Sequence, residues 1–237
     1  MKTKTIENII GDDIDKLSGI KYLSSLWEET GKNLNTIRSS DALYSKYMQV
    51  IDPGLYSIED VESFTNSLNS DQHGIGALIS ASINKKSIDK KIGSGPIRVN
   101  LNPKSPINFL LYKFENGTAR VDLAGDNFAY LSKNAYIYVK KVGYNAFCSS
   151  EEVYSKVGEA DTWFGQYARN SKFNVKSLGN QAFNSAENVK AKVGSAGAAF
   201  GDFSKNSHFT VKDIEEPSTF VYPSVPATIC SAGGFFK

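Results

Sequence analysis

Few side chains in this sequence combine the residue types and spacing that catalysis requires. His73 and His208 are the only histidines, and neither lies at motif spacing from a serine or cysteine nucleophile, so no catalytic triad is predicted. Cys148 and Cys230 share no metal-ligand spacing, and nothing near Cys148 in the sequence favours a thiolate. Glycine-rich phosphate-binding motifs are absent too. The sequence therefore predicts no catalytic residue, no bound cofactor and no metal site in this chain.

Four aspartates offer the remaining chemistry, because paired carboxylates act as acid and base in sugar-cleaving enzymes. They are Asp122, Asp126, Asp161 and Asp202. We expect them to be solvated loop acids, since they fall at unrelated positions of the repeat described next. A stand-alone enzyme acting on polysaccharide stays as an alternative, and it requires these carboxylates to share one face.

A 36-residue repeat is the strongest organising signal in the chain. Residues 137–147 read IYVKKVGYNAF, and residues 173–183 read FNVKSLGNQAF. Two further sets of residues share the same spacing, namely Val121, Val157 and Val193, and Phe128, Phe164 and Phe200. A fixed period of this size predicts stacked structural units, each of which buries its apolar face against its neighbours.

The repeat units read as strands separated by tight corners. From Ile97 onward apolar and polar residues alternate, and glycine or asparagine follows each short run. This pattern predicts a mainly β protein, a parallel β-helix, over residues 96–214. A coil of about 18 to 22 residues is too short to fill the period, so we expect two alternating coils per repeat. Matching valines separated by 14 and 22 residues indicate where these coils lie: Val139, Val153, Val175, Val189 and Val211.

A repeat of one strand and one helix is the alternative. Ser149 with Glu152 resembles a capping box, which would start a helix in the segment SSEEVYSKVGEA. Gly158 and Gly194 weaken this interpretation, because glycine destabilises a helix interior.

Asn134, Asn170 and Asn206 are the clearest polar signal in the repeat. Asparagine tolerates a left-handed backbone and can hydrogen bond to stacked copies of itself, so we interpret these residues as a structural ladder at the coil corners. Trp163 and Tyr167 stand where the next repeat has Ala199 and Phe203. They are either an exposed contact surface for a partner or the filling of a gap in the core.

A small helical region precedes the β-helix over residues 1–95. Helix-like apolar spacing covers residues 3–50, a serine cap at Ser57 predicts a helix that starts near residue 58, and a further helix is predicted over residues 74–86. Gly93, Ser94, Gly95 and Pro96 mark the boundary. Residues 215–237 form a C-terminal tail rich in proline, which argues mildly against self-assembly of the chain as a scaffold through that end.

Composition and charge indicate an ordinary globular protein, with 41% hydrophobic and 22% charged residues. Lys and Arg number 27 against 25 Asp and Glu, and the net charge of +2 gives no electrostatic case for nucleic acid or an anionic membrane. No run approaches the roughly 18 apolar residues of a membrane span, and the first residues lack the apolar stretch of a signal peptide. We therefore expect a cytoplasmic protein with no nucleic-acid or membrane partner.

Two stretches resemble the C-terminal GXGXG domain of glutamate synthase large subunits, which also occurs as a separate subunit. HGIGALISASINKK at 73–86 is similar to the segment that leads into that family's β-helix, and residues 97–139 are similar to its first strands and glycine corners. The matching positions in the two stretches are Gly76, Ser80, Ile83, Lys85, Phe109, Tyr112, Gly117, Gly125, Asp126, Tyr130 and Lys133. The segment KVGSAGAAFG resembles a recurrent coil of the family. The resemblance implies a right-handed parallel β-helix.

The resemblance also implies a function without catalysis. In that family the domain braces a glutamine amidotransferase part against an FMN-containing synthase part, so FMN and iron–sulfur clusters are expected in partner subunits and not in this chain. His73, Trp163 and Tyr167 are the candidate partner contacts, and association with further copies of the chain stays open. A related β-helix in the C subunit of formylmethanofuran dehydrogenase is an alternative assignment.

Overall fold

The computed structural model describes residues 19–33, 39–72, 74–89, 95–214 and 228–231. The predicted helices before residue 19, part of the predicted boundary and most of the C-terminal tail lie outside these ranges. The described residues form four α-helices, which are α1 (Gly19–Asn33), α2 (Ser40–Val50), α3 (Ile58–Ser67) and α4 (Ile75–Asp89). Eight strands follow, which are β1 (Ile97–Leu101), β2 (Gly117–Leu123), β3 (Tyr136–Val142), β4 (Tyr154–Ala160), β5 (Lys172–Leu178), β6 (Lys190–Ala196), β7 (His208–Ile214) and β8 (Thr228–Ser231).

All neighbouring strands pair in parallel and in chain order from β1 to β8, so the protein is a parallel β-solenoid preceded by helices. The predicted mainly β class is confirmed. The helix predicted to start near residue 58 is present, and Ser57 and Asp60 form a reciprocal capping box at its first turn. Within the described ranges, no helix is long and apolar enough to cross a membrane.

The coil length is 18 residues through most of the solenoid. Tyr136 pairs with Tyr154, Tyr154 with Lys172, and Lys172 with Lys190. The first coil is longer, since Ile97 pairs with Gly117. The 36-residue repeat is therefore two coils, as predicted.

The predicted spacing of 14 and 22 residues between equivalent valines is wrong. Val139, Val157 and Val175 are direct partners in adjacent strands and stack in one column at intervals of 18. Val153 and Val189 belong to a different column, in which the alternate coils carry serines, and these serines accept hydrogen bonds from the two valine N–H groups. The helical alternative is also wrong, because the segment after Glu152 is strand β4.

Each of the strands β1 to β6 is followed by a corner and then by a return segment on the other side of the coil. In the first 18-residue coil the return segment is residues 126–132. Within it the backbone alternates between right- and left-handed conformations, with φ of 54° at Asn127, 51° at Ala129 and 60° at Leu131. The Asn127 N–H donates to the next coil, at Tyr144, and the Ala129 N–H donates to the previous coil, at Leu110. These inter-coil hydrogen bonds offset the left-handed backbone, which is unfavourable by roughly 1–2 kcal/mol for a non-glycine residue.

The core between strand and return segment alternates in shape from coil to coil. One column holds Phe128, Phe164 and Phe200, and alanine fills the intervening coils. The adjacent column holds Phe147 and Phe183, and alanine or glycine fills its intervening coils. The rings interlock edge to face, as in the pair Phe164 and Phe183, whose centroids lie 5.5 Å apart at an interplanar angle of 89°. A complete packing unit therefore needs two coils.

Charge at one corner alternates with the same period. Isolated bridges join one residue of each coil to the next in the column Glu115, Lys133, Glu151, Arg169, Glu187 and Lys205. Lys133 Nζ lies 3.0 Å from Glu151 Oε2, and Arg169 Nε lies 3.7 Å from Glu187 Oε2. Like charges directly opposite one another on neighbouring strands are destabilising, so opposite signs must alternate along the column.

Helices α3 and α4 cover the first coil, which no other coil precedes among the residues that the structure describes. Ser80 Oγ accepts from the Tyr112 N–H and donates to the Phe109 carbonyl. Asn84 Nδ2 donates to the Tyr112 and Lys113 carbonyls. At the edge of β1, carboxylate and amide oxygens from α3 accept N–H groups; the pairs are Asn100 with Glu62 and Asn102 with Asn66. The helical region thus protects an edge that would otherwise be open to another strand.

The alternating core predicts that shifting one phenylalanine by one position is as damaging as deleting its ring. Phe183→Ala should lower the free energy of unfolding by about 3–5 kcal/mol, because it empties a fully buried aromatic site. The double variant Ala182→Phe/Phe183→Ala restores the composition but places the ring in the column of Phe164 and Phe200. It should be no more stable than the single variant. Denaturant unfolding measures both, and a double variant as stable as the parent chain would contradict the alternating core.

The hydrogen bonds between α4 and the first coil predict that Asn84 stabilises the fold as a hydrogen-bond donor and not through its shape. Asn84→Asp keeps the shape but replaces the donor by a buried carboxylate facing two carbonyls, so unfolding free energy should fall by at least about 2 kcal/mol. The matched control Asn174→Asp, on the exposed side of β5, should change it by less than about 0.5 kcal/mol. Equal stability of the two variants, measured by denaturant unfolding, would show that the helices do not cap the solenoid through this residue.

Candidate functional site

The structure separates the four candidate carboxylates. Asp122 lies on the outer side of β2 with its Oδ2 2.8 Å from Lys140 Nζ, and Asp202 lies on a return segment. Asp126 and Asp161 share a groove of about 440 Å³ at the corner after the strands, together with Glu159. Asp126 Oδ1 accepts the Tyr144 N–H, and Asp161 Oδ1 accepts the Thr162 N–H.

Asp126 and Asp161 thus stabilise the coil corners by accepting backbone hydrogen bonds. Asn108 Oδ1 accepts the Asp126 N–H and Asn180 Oδ1 accepts the Ala198 N–H, so Asn108, Asp126 and Asn180 occupy the same corner position and make the same inter-coil bond. A shared face for all four aspartates, which the polysaccharide alternative requires, is not what the structure has. The described residues contain no group of three or more His, Cys, Asp or Glu side chains that could hold a metal ion.

Cys148 and the histidines do not come together. Cys148 is a buried free thiol, and burial raises the pKa of this thiol, with a smaller opposing effect of its contact with Ser149. His208 begins β7 and is exposed. His73 and the side chain of Cys230 lie outside the described residues. A raised pKa disfavours the thiolate, so Cys148 is a poor nucleophile.

The predicted corner asparagines have the expected left-handed backbone, with φ of 45° at Asn134 and 49° at both Asn170 and Asn206. Side-chain amides join adjacent coils: Asn134 Nδ2 donates to Asn116 Oδ1 at 2.7 Å, and Asn188 Nδ2 donates to Asn170 Oδ1 at 3.1 Å. A 36-residue period does not relate Asn116 and Asn188 to the three predicted asparagines, whereas the 18-residue coil places all five in one column.

Trp163 and Tyr167 lie on the outer side of the return segments, not in the core. The Trp163 ring lies against Tyr144, with centroids 5.2 Å apart, and its Nε1 donates to Gln181 Oε1. Tyr167 is 51% exposed, and Phe203, two coils further on, is 58% exposed. We call Tyr167 and Phe203 the aromatic column, because they occupy the same position two coils apart; the equivalent residue two coils before Tyr167 is Leu131, which is partly buried against the core. Successive members lie roughly 10 Å apart, since neighbouring strands are about 4.8 Å apart.

The second exposed surface is the sheet face, which consists of the outward side chains of β1 to β7. Three tyrosines lie on it, and Tyr136 is 60% exposed and stacked on Tyr154 with centroids 5.5 Å apart. Exposed basic side chains outnumber acidic ones in these described strands by ten to three. The basic residues are Arg98, Arg120, Lys140, Lys141, Lys156, Lys172, Lys176, Lys190, Lys192 and Lys212, and the acidic residues are Asp122, Glu159 and Asp213. In the sequence, strand alternation marks the inward side chains of the core, and the net charge does not reveal that the outward ones are mostly basic.

The described part of the chain thus has a basic sheet face on one side and an aromatic column on the other. No protein-family model, curated protein or solved structure matches the chain. These two surfaces carry the functional interpretation, because surface residues on a rigid repeat are the ones available to partners.

The asparagine ladder predicts a stabilising substitution at Glu152, the only described member of that column that is not asparagine. Its φ is 54°, a conformation that asparagine adopts more readily. Glu152→Asn should raise the free energy of unfolding by about 0.5–1 kcal/mol by joining Asn134 to Asn170. The control Glu152→Gln removes the same charge without the left-handed preference and should not stabilise. Thermal unfolding distinguishes the two, and equal stabilisation by both would attribute the effect to charge.

Proposed function

We propose that this chain is a non-catalytic structural β-helix subunit of a glutamate-synthase-like amidotransferase complex in the cytoplasm. In this role it braces a glutaminase part against an FMN-containing synthase part. The observation that carries the proposal is the aromatic column, two exposed aromatic side chains held in register on a stacked solenoid. The resemblance of residues 73–86 and 97–139 to the GXGXG domain supplies the identity of the partners.

A stacked solenoid suits a bracing role because each coil is held to both neighbours. The strands pair continuously, and the return segments add hydrogen bonds in both directions along the rod, as at Ala129 and Asn127. Side chains on such a frame keep fixed spacings. A partner that contacts several coils therefore binds with little loss of conformational entropy in this subunit.

The aromatic column has the chemistry of a protein interface. Exposed Tyr and Phe side chains give large contact areas at low entropic cost, and such residues dominate the energetics of protein interfaces. Tyr167 and Phe203 are each more than half exposed in the isolated chain, and the half-buried Trp163 extends the apolar surface beside them. The flavin and iron–sulfur groups of such a complex would be held by the partner subunits. A complex of the formylmethanofuran dehydrogenase type is the alternative assembly in which this surface would contact partner subunits.

Purification of the tagged chain from its native source tests the proposal. We expect a glutaminase and an FMN-containing subunit to co-elute, identified by glutaminase activity and by the flavin absorption spectrum. Tyr167→Ser/Phe203→Ser should reduce their recovery at least tenfold, since each side chain is a large apolar anchor. The matched control Tyr136→Ser/Tyr154→Ser removes two exposed aromatic rings from the sheet face and should leave recovery unchanged. A chain that elutes without flavin or glutaminase activity would contradict the proposal.

A further inference from the structure

Six basic residues of the sheet face form a regular line, which we call the cation track: Arg120, Lys140, Lys156, Lys176, Lys192 and Lys212. Each of the six coils from β2 to β7 contributes one of them. The cations of β2, β4 and β6 lie in one row of paired residues across the sheet. The cations of β3, β5 and β7 lie two residues further along their strands than this row. The track therefore zigzags along the rod.

The dimensions of the track follow from strand geometry. Neighbouring strands are about 4.8 Å apart, and two residues along a strand span roughly 6.6 Å, so successive cations are about 8 Å apart on a flat surface. Five of the six positions that would complete a second line hold neutral residues, such as Asn174, Thr210 and Gly194, and the sixth holds Asp122. The track thus contributes one cation per coil, and the other exposed cations of the sheet face lie beside it: Arg98, Lys141, Lys172 and Lys190.

Little of this charge is neutralised by the described part of the chain. Lys140 pairs with Asp122, and Lys141 beside it lies 3.8 Å from Glu159. Lys176, Lys192 and Lys212 form no ion pair with any described residue, and they extend the track through β5, β6 and β7. The net charge of +2 conceals this concentration, because the acidic residues lie mostly elsewhere.

A surface with this many lysines is poorly suited to a protein interface, because interfaces are depleted in lysine and enriched in aromatic residues. A line of ammonium groups fits a polymer that carries its own repeating anions. The fork of arginine matches carboxylate and phosphate alike, whereas lysine is a point charge that binds phosphate without a fixed geometry. Five of the six track residues are lysine. A line of such point charges suits the regularly spaced phosphates of a nucleic-acid backbone.

The tyrosines of the sheet face indicate which contacts a bound nucleic acid would not make. Arg120 and Lys156 both lie over the Tyr138 ring, at 5.4 and 5.9 Å from its centroid. Tyr154 has Tyr136 on one side and Lys172 over its ring at 4.7 Å. Because these ring faces are occupied by neighbours in the ladder, bases cannot stack on them as they do on dedicated single-strand platforms. Binding through this face would read the backbone and not the sequence.

We propose that the cation track binds the phosphate backbone of a single-stranded nucleic acid laid along the rod. A single strand can follow a flat surface over all six coils, whereas a duplex backbone winds away from a plane after a few phosphates. The aromatic column is on the other side of the solenoid, so a protein partner and a nucleic acid could bind together.

Fluorescence anisotropy with labelled dT and dA oligonucleotides, titrated with the full chain at several salt concentrations, tests this proposal. Six phosphate contacts predict a slope of log K against log salt of about −4, since each contact contributes about −0.7 for single strands. The variant Lys156→Gln/Lys176→Gln/Lys192→Gln should reduce the slope magnitude to about 2 and weaken binding roughly 100-fold at 0.1 M salt. Affinities for dT and dA should agree within about threefold.

A matched control removes the same three charges from the corner column with Lys133→Gln/Arg169→Gln/Lys205→Gln. Circular dichroism first establishes that both triple variants are folded. Equal loss of binding in the two variants would overturn the track, as would an undetectable affinity of the parent chain at 0.1 M salt. Tighter binding to duplex DNA, to heparin or to vesicles containing anionic lipid, at the same salt concentration, would overturn the choice of a single strand.

Discussion

The rest of the structure depends on one constraint, which is that the chain must return to the same point in the coil every 18 residues. Only then can each strand pair in parallel with the next and each return segment inside the stack donate hydrogen bonds to both neighbours. Every coil position becomes a column, so a residue is selected by what lies directly above and below it. Phenylalanine above phenylalanine overfills the core, and charge above like charge repels, so coils of two kinds alternate.

This alternation also organises the surfaces. The coils that place phenylalanine at positions equivalent to Phe164 carry the track cation at one strand position, and the intervening coils carry it at the other. The aromatic column likewise uses every second coil, at Tyr167 and Phe203, with Leu131 at the equivalent position two coils before Tyr167. A two-coil unit thus repeats core shape, corner charge and both exposed surfaces together. The helical region ends the array at β1 by supplying acceptors and donors that a preceding coil would otherwise provide.

Sequence reasoning was able to predict the solenoid, because an ungapped period with alternating apolar residues is typical of stacked strands. It misplaced the coils because Val153 and Val189 match at 36 residues while belonging to another column than Val139. The return segments were beyond prediction, since residues such as Phe147 and Leu111 carry no local signal for a positive φ and adopt it under the packing of neighbouring coils. The sheet face was missed for a related reason: net charge is a sum, whereas a solenoid sorts charges onto sides.

Disulfide cross-linking tests the 18-residue coil most directly. In a chain with Cys148→Ser and Cys230→Ser, the account predicts that Asn174→Cys/Lys192→Cys forms a disulfide on mild oxidation, since these residues are partners in adjacent strands and the roughly 4.8 Å between strands suits the bond. Asn174→Cys/Thr210→Cys, separated by 36 residues and about 10 Å, should stay reduced. Rapid cross-linking of the second pair with none in the first would mean that one coil takes 36 residues, and the stacked columns would not exist.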